Sequence, residues 1–220
     1  MVGALVLVLL WALGTPRARA ELPPPPAEIG FEFGLSSLDE TTMKTLVSQG
    51  YLIIVRQNPD LSLVNITAGR LVNAPPAVVW KTVTDFENWP KFVEQTKEEK
   101  ILEKTDENHL LVSQILAIKI WRLPSIDIDS KQVYVLTPPN KVRFWHTEGP
   151  LTGSYGGWDL VPVGDQTMIF YTLYSNLYNL GLGLGGVFKS EPDFMAGINV
   201  TTAMLVARCI QEEAERRAKP

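Results

Sequence analysis

The side chains that could perform acid-base or metal chemistry are few and scattered in this chain. Its 220 residues include two histidines, His109 and His146, and one cysteine, Cys209. The His-Glu-x-x-His pattern and paired Cys/His spacings are missing, so the sequence predicts no protein metal site. Asp127 and Asp129 share one face of a predicted strand, which we interpret as a solvated surface. We therefore assign no catalytic residue and expect no cofactor.

A second set of residues could bind an apolar molecule. Aromatic side chains concentrate on the late predicted strands, and a pocket for a lipid or quinone needs apolar walls with a few polar groups. The same pattern is typical of a filled core. Strand alternation puts Phe144 and His146 on one face and Arg143 and Trp145 on the other, and leaves open which pair points inward. The candidate lining residues are Trp121, Arg143, Phe144, His146, Tyr155, Trp158, Tyr171, Tyr174, Ile198, Asn199 and Met204.

The elements that would position these residues follow from turn signals and periodicity. Two strands are predicted at residues 51–56 and 61–72, followed by a short helix at 77–84 and a further break. Six strands separated by short turns then run from Thr96 to Leu177, which predicts an antiparallel meander. The chain ends in a long helix from Ser190 to Lys219, with Ser190 as its cap. Because Phe194 to Ala207 is apolar nearly all round, we expect this helix to be enclosed.

Composition and the N-terminal segment indicate the class of protein. The chain is 45% hydrophobic and 20% charged, which suits one globular domain. The apolar run from Ala4 to Leu13, followed by Ala18-Arg19-Ala20, predicts a signal peptide at residues 1–20 and hence an exported, periplasmic or secreted protein. Four prolines predict a linker at 21–36, and a single domain occupies 37–220, with 37–60 as an N-terminal helix and strand extension. A net charge of −4 disfavours a nucleic-acid partner.

Several motifs resemble a known family. Residues 73–80 (NAPPAVVW), 82–86 (TVTDF) and 89–93 (WPKFV) are similar to the opening of START-like domains of the SRPBCC superfamily, in its polyketide cyclase and coenzyme Q-binding group. The resemblance covers about Ser62 to Ala218. It implies an α+β helix-grip fold, also called Bet v 1-like. In that fold a curved antiparallel sheet wraps around a long C-terminal helix, two short helices follow the first core strand, and an apolar cavity lies between sheet and helix.

The glycine-rich segment from Asn179 to Phe188 falls where this fold has one side of its cavity entrance. Its residues Leu182, Leu184 and Phe188 are therefore candidate entrance residues. One interpretation is a gate that makes transient contact with a membrane or partner during lipid exchange. The other is a loop that folds back onto the core.

Three functions remain open from the sequence. The first is a non-enzymatic binding protein for a hydrophobic small molecule such as a lipid, quinone or sterol-like compound, for carriage or sequestration. The second is an enzyme like a polyketide cyclase or aromatase, in which groups such as His146 or Arg143 position a reactive chain. The third is an envelope interaction module with a filled core. A structure with no cavity above a few water volumes would favour this module and exclude the first two functions. The oligomeric state cannot be read from the sequence.

Overall fold

The computed structural model describes residues 39–118, 125–180 and 184–219. The predicted signal peptide at 1–20 and linker at 21–36 lie outside these ranges, and both stay predictions. Trp121 and Leu182 also lie outside the described residues.

The order of elements follows the predicted order closely. The first helix begins after Asp39, whose side chain accepts a hydrogen bond from the backbone N–H of Thr42 at 2.9 Å and so caps the helix. A 3-10 helix at Phe86–Lys91 follows the second helix. The described helices are α1 (Glu40–Ser48), α2 (Pro76–Val83), α3 (Leu184–Ser190) and α4 (Pro192–Ala218). The described strands are β1 (Leu52–Gln57), β2 (Leu63–Val72), β3 (Thr96–Lys104), β4 (His109–Ile118), β5 (Ile126–Thr137), β6 (Lys141–Glu148), β7 (Tyr155–Val163) and β8 (Gln166–Tyr174).

All eight described strands belong to one antiparallel sheet in the order β1-β2-β8-β7-β6-β5-β4-β3. The run from β3 to β8 is the predicted meander, because each strand pairs with the next one along the chain. Pairing of β2 with β8 adds the first two strands to the same sheet. With α4 packed on one face, this is the helix-grip arrangement of an α+β fold, as predicted.

The long helix α4 differs in two respects from the sequence prediction. It begins at Pro192 without a side-chain cap, because the Ser190 hydroxyl donates instead to the Val187 carbonyl at the end of α3. Its buried residues form one stripe rather than covering all sides, and Phe194 is exposed. The apolar composition of Phe194 to Ala207 therefore overstated how far the helix is enclosed. The predicted loop after Tyr178 also contains a helix, α3.

Two clusters of apolar residues fill the space between the sheet and the helices. The large cluster joins α2, the inner face of the sheet and the C-terminal half of α4, including Ala203 and Ile210. A separate small cluster lies at the other end, around α3 and the first turns of α4. The small cluster consists of Ile128, Leu151, Leu177, Leu180, Phe188 and Met195.

The single cysteine, Cys209, is buried on α4. Burial raises the pKa of its thiol, which keeps it in the unreactive protonated form.

Candidate functional site

A cavity of about 60 Å³ lies between the inner face of the sheet and α4. One wall comes from β3 to β6 and β8, and Thr202 and Val206 of α4 form the opposite wall. This volume holds a few water molecules. The cavity is lined by Trp89, Val93, Gln95, Thr96, Gln114, Leu116, Gln132, Tyr134, Phe144, His146, Leu151, Tyr171, Leu173, Ser175, Thr202 and Val206.

Four polar residues cross the inner face of the sheet beside this cavity. Glu99 of β3 is paired in register with Gln114 of β4, and Gln132 of β5 with His146 of β6. All four are buried. We call Glu99, Gln114, Gln132 and His146 the inner polar row.

Glu99 lies behind the cavity wall and is held by two neighbours. The Tyr134 hydroxyl donates to its Oε1 at 3.2 Å and Gln114 Nε2 donates to its Oε2 at 3.3 Å. Desolvation by burial outweighs both hydrogen bonds and raises the pKa of Glu99 to about 8. The carboxyl group is therefore largely uncharged at pH 7.

The other end of the inner polar row has polar atoms with no partner. Gln132 Nε2 and His146 Nδ1 are buried without a hydrogen bond among the described residues, and so is the indole Nε1 of Trp89. Desolvation by burial lowers the pKa of His146 to about 4, so its ring is neutral at pH 7. Buried donors and acceptors without partners are rare in folded proteins, because each carries an uncompensated desolvation cost.

Two adjacent glycines settle which face of β6 points inward. A Cβ on Gly156 would lie 2.6 Å from the ring of Phe144, and a Cβ on Gly157 would lie 2.8 Å from Cδ of Arg143. Phe144 and Arg143 therefore pack over successive glycines on opposite faces of β7. Because Phe144 and His146 line the cavity, Arg143 lies on the outer face.

Arg143 makes a structural ion pair on that outer face. Its Nη2 donates to both carboxylate oxygens of Asp159 at 2.9 and 3.0 Å, and its Nη1 donates to the carbonyls of Val142 and Trp158, both at 2.8 Å. Desolvation raises the pKa of Asp159, while Arg143 opposes the shift. We call Arg143 and Asp159 the outer ion pair.

Two predicted tyrosines also lie away from the cavity. Tyr155 and Tyr174 are cross-strand partners on the face that carries Arg143, and their ring centroids are 5.1 Å apart. The Tyr155 hydroxyl donates to the Val64 carbonyl at 2.6 Å. Neither tyrosine is among the described lining residues.

The remaining described candidates on β7 and α4 do not line the cavity: Trp158 and Asn199 are buried, and Ile198 and Met204 are partly buried. Trp158 is fully buried and stacks on Tyr171 with centroids 4.4 Å apart. Asn199 joins α4 to the end of β8, because its Oδ1 accepts from the backbone N–H of Ser175 at 2.6 Å. Ile198 packs against the small cluster, and the carbonyl of Met204 accepts from the Tyr51 hydroxyl. Of the predicted residues, the cavity brings together Phe144, His146 and Tyr171.

The candidate entrance residues have separate positions. Phe188 of α3 is fully buried in the small cluster and stacks on Phe194 at 5.8 Å. Leu184 is the first residue of α3. The exposed apolar side chains in this region are Val187 and Phe194, at 43% and 46% exposure.

Sequence reasoning missed much of the polar wall: Trp89, Glu99, Gln114, Gln132 and Tyr134. Gln114 had a usable signal, because it is a polar residue between the apolar Val112 and Leu116 on one face of its strand. Gln132 had a weaker one, since its neighbours on the same face are Ser130 and Tyr134. Glu99 had none, since it stands among Lys97, Glu98 and Lys100 on a strand that reads as solvated.

Comparisons with known proteins agree with this geometry. Residues 72–190 match the model of the family described as "Polyketide cyclase / dehydrase and lipid transport". The chain belongs to this family, a START-like group. No curated protein matches the chain.

Solved structures show the same fold at low sequence identity. The Zhui aromatase/cyclase from Streptomyces sp. R1128 is 17% identical with a TM-score of 0.56, over 70% of this chain and 95% of that one. Human StAR-related lipid transfer protein 5 is 11% identical with a TM-score of 0.54, over 81% of this chain and 96% of that one. A protein of Thermus thermophilus is 17% identical with a TM-score of 0.57, over 70% of this chain and 99% of that one. The family and the shared fold together support hydrophobic ligand binding or polyketide cyclase-like activity.

Proposed function

We propose that this protein binds a hydrophobic small molecule between the sheet and α4 and carries or sequesters it outside the cytoplasm. One observation carries the proposal: a cavity with aromatic and aliphatic walls lies between the sheet and α4, and the buried polar side chains Gln114, Gln132 and His146 are among its lining residues. Ligand sites typically combine apolar walls with a few such groups, which orient the ligand. The lipid transport named in the family description fits this combination.

The ligand has to widen the cavity. Pockets for small organic ligands have volumes of roughly 300 Å³ or more, whereas this one has about 60 Å³. The small cluster is the wall best suited to move, because it is separate from the large cluster and holds only α3 and the start of α4 against the sheet. The small cluster borders the cavity through Leu151, so a displacement of Leu151 together with Phe188 and Met195 behind it would enlarge the cavity without disturbing the C-terminal half of α4.

Export and membrane contact complete the proposal. The apolar run from Ala4 to Leu13 supports export to a periplasm or the outside. Val187 and Phe194 expose apolar surface next to the small cluster, where they would touch a lipid bilayer during loading. Lipid transfer from vesicles should therefore slow when Val187 or Phe194 is replaced by Asp. The same replacement of Leu102, which is 50% exposed on the distant β3 edge, is the matched control.

Native mass spectrometry of protein purified without detergent tests the proposal, followed by solvent extraction of bound material. We expect an adduct of lipid mass. The variant Thr202→Trp should lose it, because Thr202 lines the cavity and a Trp side chain would fill that space. Thr201→Trp is the matched control, since the neighbouring Thr201 is exposed and does not line the cavity.

A filled-core interaction module is the second candidate, and the small cavity volume favours it. The polar side chains Gln114, Gln132 and His146 among the lining residues count against it, because ligand sites combine apolar walls with a few polar groups. If the protein stays free of ligand after incubation with membrane lipids and quinones, that result would establish the interaction module over the ligand-binding protein.

A cyclase-like enzyme is the third candidate. The hydrogen-bonded pair of Tyr134 and Glu99 favours it, because a carboxyl group with a pKa of about 8 can exchange protons near neutral pH. Arg143 no longer supports this candidate, since it lies on the outer face. Turnover of a polyketone substrate that Glu99→Gln abolishes, while binding persists, would establish it.

A further inference from the structure

The outer face of the sheet carries a row of four apolar side chains on neighbouring strands. Each is the cross-strand partner of the next, so all four share one face. Trp145 alternates along β6 with Phe144 of the cavity wall, which puts the row on the outer face. We call Leu111, Val133, Trp145 and Tyr155 the outer apolar row.

The centre of this row is covered. Val133 is 0% exposed and Trp145 is 4% exposed. Side chains on a sheet stand roughly perpendicular to it, so their neighbours shield the flanks and only a further layer shields the tips. These exposures are those of one chain by itself, and the covering layer is therefore part of this chain.

The described helices do not supply this layer. Among them, α1 lies on the outer face, over a separate cluster that includes Phe170. Phe170 pairs with Asp159, which is four residues along β7 from Tyr155, or about 13 Å at 3.3 Å per residue. Val133 and Trp145 belong neither to that cluster nor to the large or the small one.

Chain length excludes the two internal segments that lie outside the described residues. Residues 119–124 connect β4 to β5 at the end of the sheet where Ile118 pairs with Ile126. Val133 is seven residues farther along β5, roughly 23 Å away, whereas a loop of this length that returns to the same end extends only about 12 Å. Residues 181–183 start from the small cluster, which is on the inner side of the sheet.

Residues 1–38 remain, and they include a segment whose pattern fits the outer apolar row. Every second residue from Ile29 to Leu35 is apolar, and Gly30, Glu32 and Gly34 lie between them. An extended chain puts such residues on one side. The four apolar side chains span about 20 Å, which is enough to cover four strands that are about 4.8 Å apart.

The segment is also long enough to reach the row from α1. Val47 of α1 packs in the cluster that includes Phe170, and Phe170 is about 20 Å from Val133, three strands across and four residues along. From Asp39 to Val47 the helix adds about 12 Å. The ten residues from Ile29 to Asp39 extend up to about 33 Å, which covers both distances even if α1 points away from the row.

We propose that residues 29–35 lie extended across the outer face of the sheet, with their four apolar side chains packed on the outer apolar row. The partner of this surface is thus the protein's own N-terminal segment, and the free part of the predicted linker is limited to residues 21–28. The other apolar run, Ala4 to Leu13, does not alternate and precedes the predicted cleavage site. This contact is independent of the proposed function, because none of the row's residues is among the described lining residues of the cavity.

Photocross-linking of the protein expressed from its full sequence tests the contact. Phe33 is replaced by the photoreactive benzoylphenylalanine, and mass spectrometry identifies the cross-linked peptides. We expect cross-links within one chain to the peptides that contain Val133 or Trp145. The same replacement of Leu61, which is 59% exposed, is the matched control and should not reach these peptides.

Three results would overturn the proposal. The first is the lack of any cross-link from position 33 to the outer apolar row. The second is a cross-link to the row of a second copy only, which would make this face an interface between chains. The third is a cross-link to the row from benzoylphenylalanine at Leu9 without one from Phe33, because the covering segment would then be the predicted signal peptide.

The variant Phe33→Asp measures what the contact contributes to stability. Uncovering one Phe side chain should lower the thermal midpoint by about 5 °C, because full burial of such a side chain stabilises a fold by about 2 kcal/mol. Acrylamide should also quench tryptophan fluorescence more strongly, since Trp145 becomes accessible. Glu32→Gln is the matched control on the other side of the segment and should leave both measurements unchanged. An unchanged midpoint and unchanged quenching in Phe33→Asp would contradict the proposal.

Discussion

The inner polar row and the outer ion pair are both buried polar clusters on the same sheet, and they differ in how well they are satisfied. Arg143 of the outer ion pair makes four hydrogen bonds, two of them to Asp159. The inner polar row leaves Gln132 Nε2 and His146 Nδ1 without partners among the described residues and keeps Glu99 largely uncharged. The outer ion pair balances a buried charge with a counter-charge, whereas the inner polar row lies beside the cavity and is largely uncharged at pH 7.

The difference explains why residue type alone misleads. Arg143 looks like a head-group ligand in the sequence, yet its charge is already neutralised by Asp159. Gln132 looks unremarkable, yet its amide nitrogen has no partner in the described part of the chain. Single-residue variants can separate the stabilising contribution of each cluster from its contribution to binding.

The largest expected effect concerns Glu99 and pH. Its folded pKa of about 8 exceeds the unfolded value of 4.5, so its contribution to stability is complete below pH 4.5 and is lost as pH rises through 8. At about 1.4 kcal/mol per pKa unit, the whole loss amounts to roughly 5 kcal/mol, of which about 4 kcal/mol falls between pH 5 and pH 9. Glu99→Gln should remove this loss, measured as the free energy of unfolding in urea at pH 5 and pH 9.

The control for Glu99 is its exposed neighbour Glu98, which pairs with Lys100. Glu98→Gln should show the same pH dependence as the unmodified protein. If Glu99→Gln also follows the unmodified protein, Glu99 is not held uncharged near pH 7 by its burial.

Next in size is the outer ion pair. Asp159→Asn removes the counter-charge that Asp159 gives to the buried Arg143 guanidinium, so we expect a loss of about 3 kcal/mol in unfolding free energy. Ligand affinity should not change, since neither residue lines the cavity. Asp127→Asn, which removes an exposed pair with Lys97, is the control and should cost less than about 1 kcal/mol. Weaker ligand binding in Asp159→Asn would show that the outer ion pair contributes to binding as well as to stability.

Much of the fold could be predicted from the sequence because its signals are local. Turn residues such as Asn58-Pro59-Asp60 and Gly164-Asp165 separate the strands, and the bounds of β3, β5 and β6 follow the apolar patterns closely. The local sequence does not determine which face of a strand points toward the interior. Phe144 with His146 and Arg143 with Trp145 each combine an aromatic and a polar residue, so only the packing over Gly156 and Gly157 distinguishes them.

The candidate site was predictable only in part for the same reason. His146 and Tyr171 were found because aromatic rings on late strands suggest a cavity wall. The partner that satisfies a polar group comes from another strand, as Asp159 does for Arg143, and sequence spacing does not reveal it. Glu99 is the clearest example of a residue whose burial the sequence does not predict, because its chain neighbours are charged.

His146 gives a slightly smaller pH effect of opposite sign. Its folded pKa of about 4 lies below the unfolded value of 6.5, so its contribution is complete above pH 6.5 and is lost as pH falls through 4. The loss is about 3 kcal/mol, and His146→Gln should remove it. Unfolding free energies at pH 7 and pH 4 measure the change. A His146→Gln variant that still loses about 3 kcal/mol between pH 7 and pH 4 would contradict this expectation.

The smallest expected effect is on the stability of Gln132→Leu, and it bears most directly on the comparison. Gln132 Nε2 has no partner among the described residues, so replacing this side chain by an apolar one of similar size should change the unfolding free energy by less than about 1 kcal/mol. Asn199→Leu makes a matched pair: its amide is equally buried but bonds to Ser175 and Met195, and its loss should cost about 2 kcal/mol. Urea unfolding of both variants measures the difference. Equal losses would mean that Gln132 is satisfied within the fold and is not held free for a ligand.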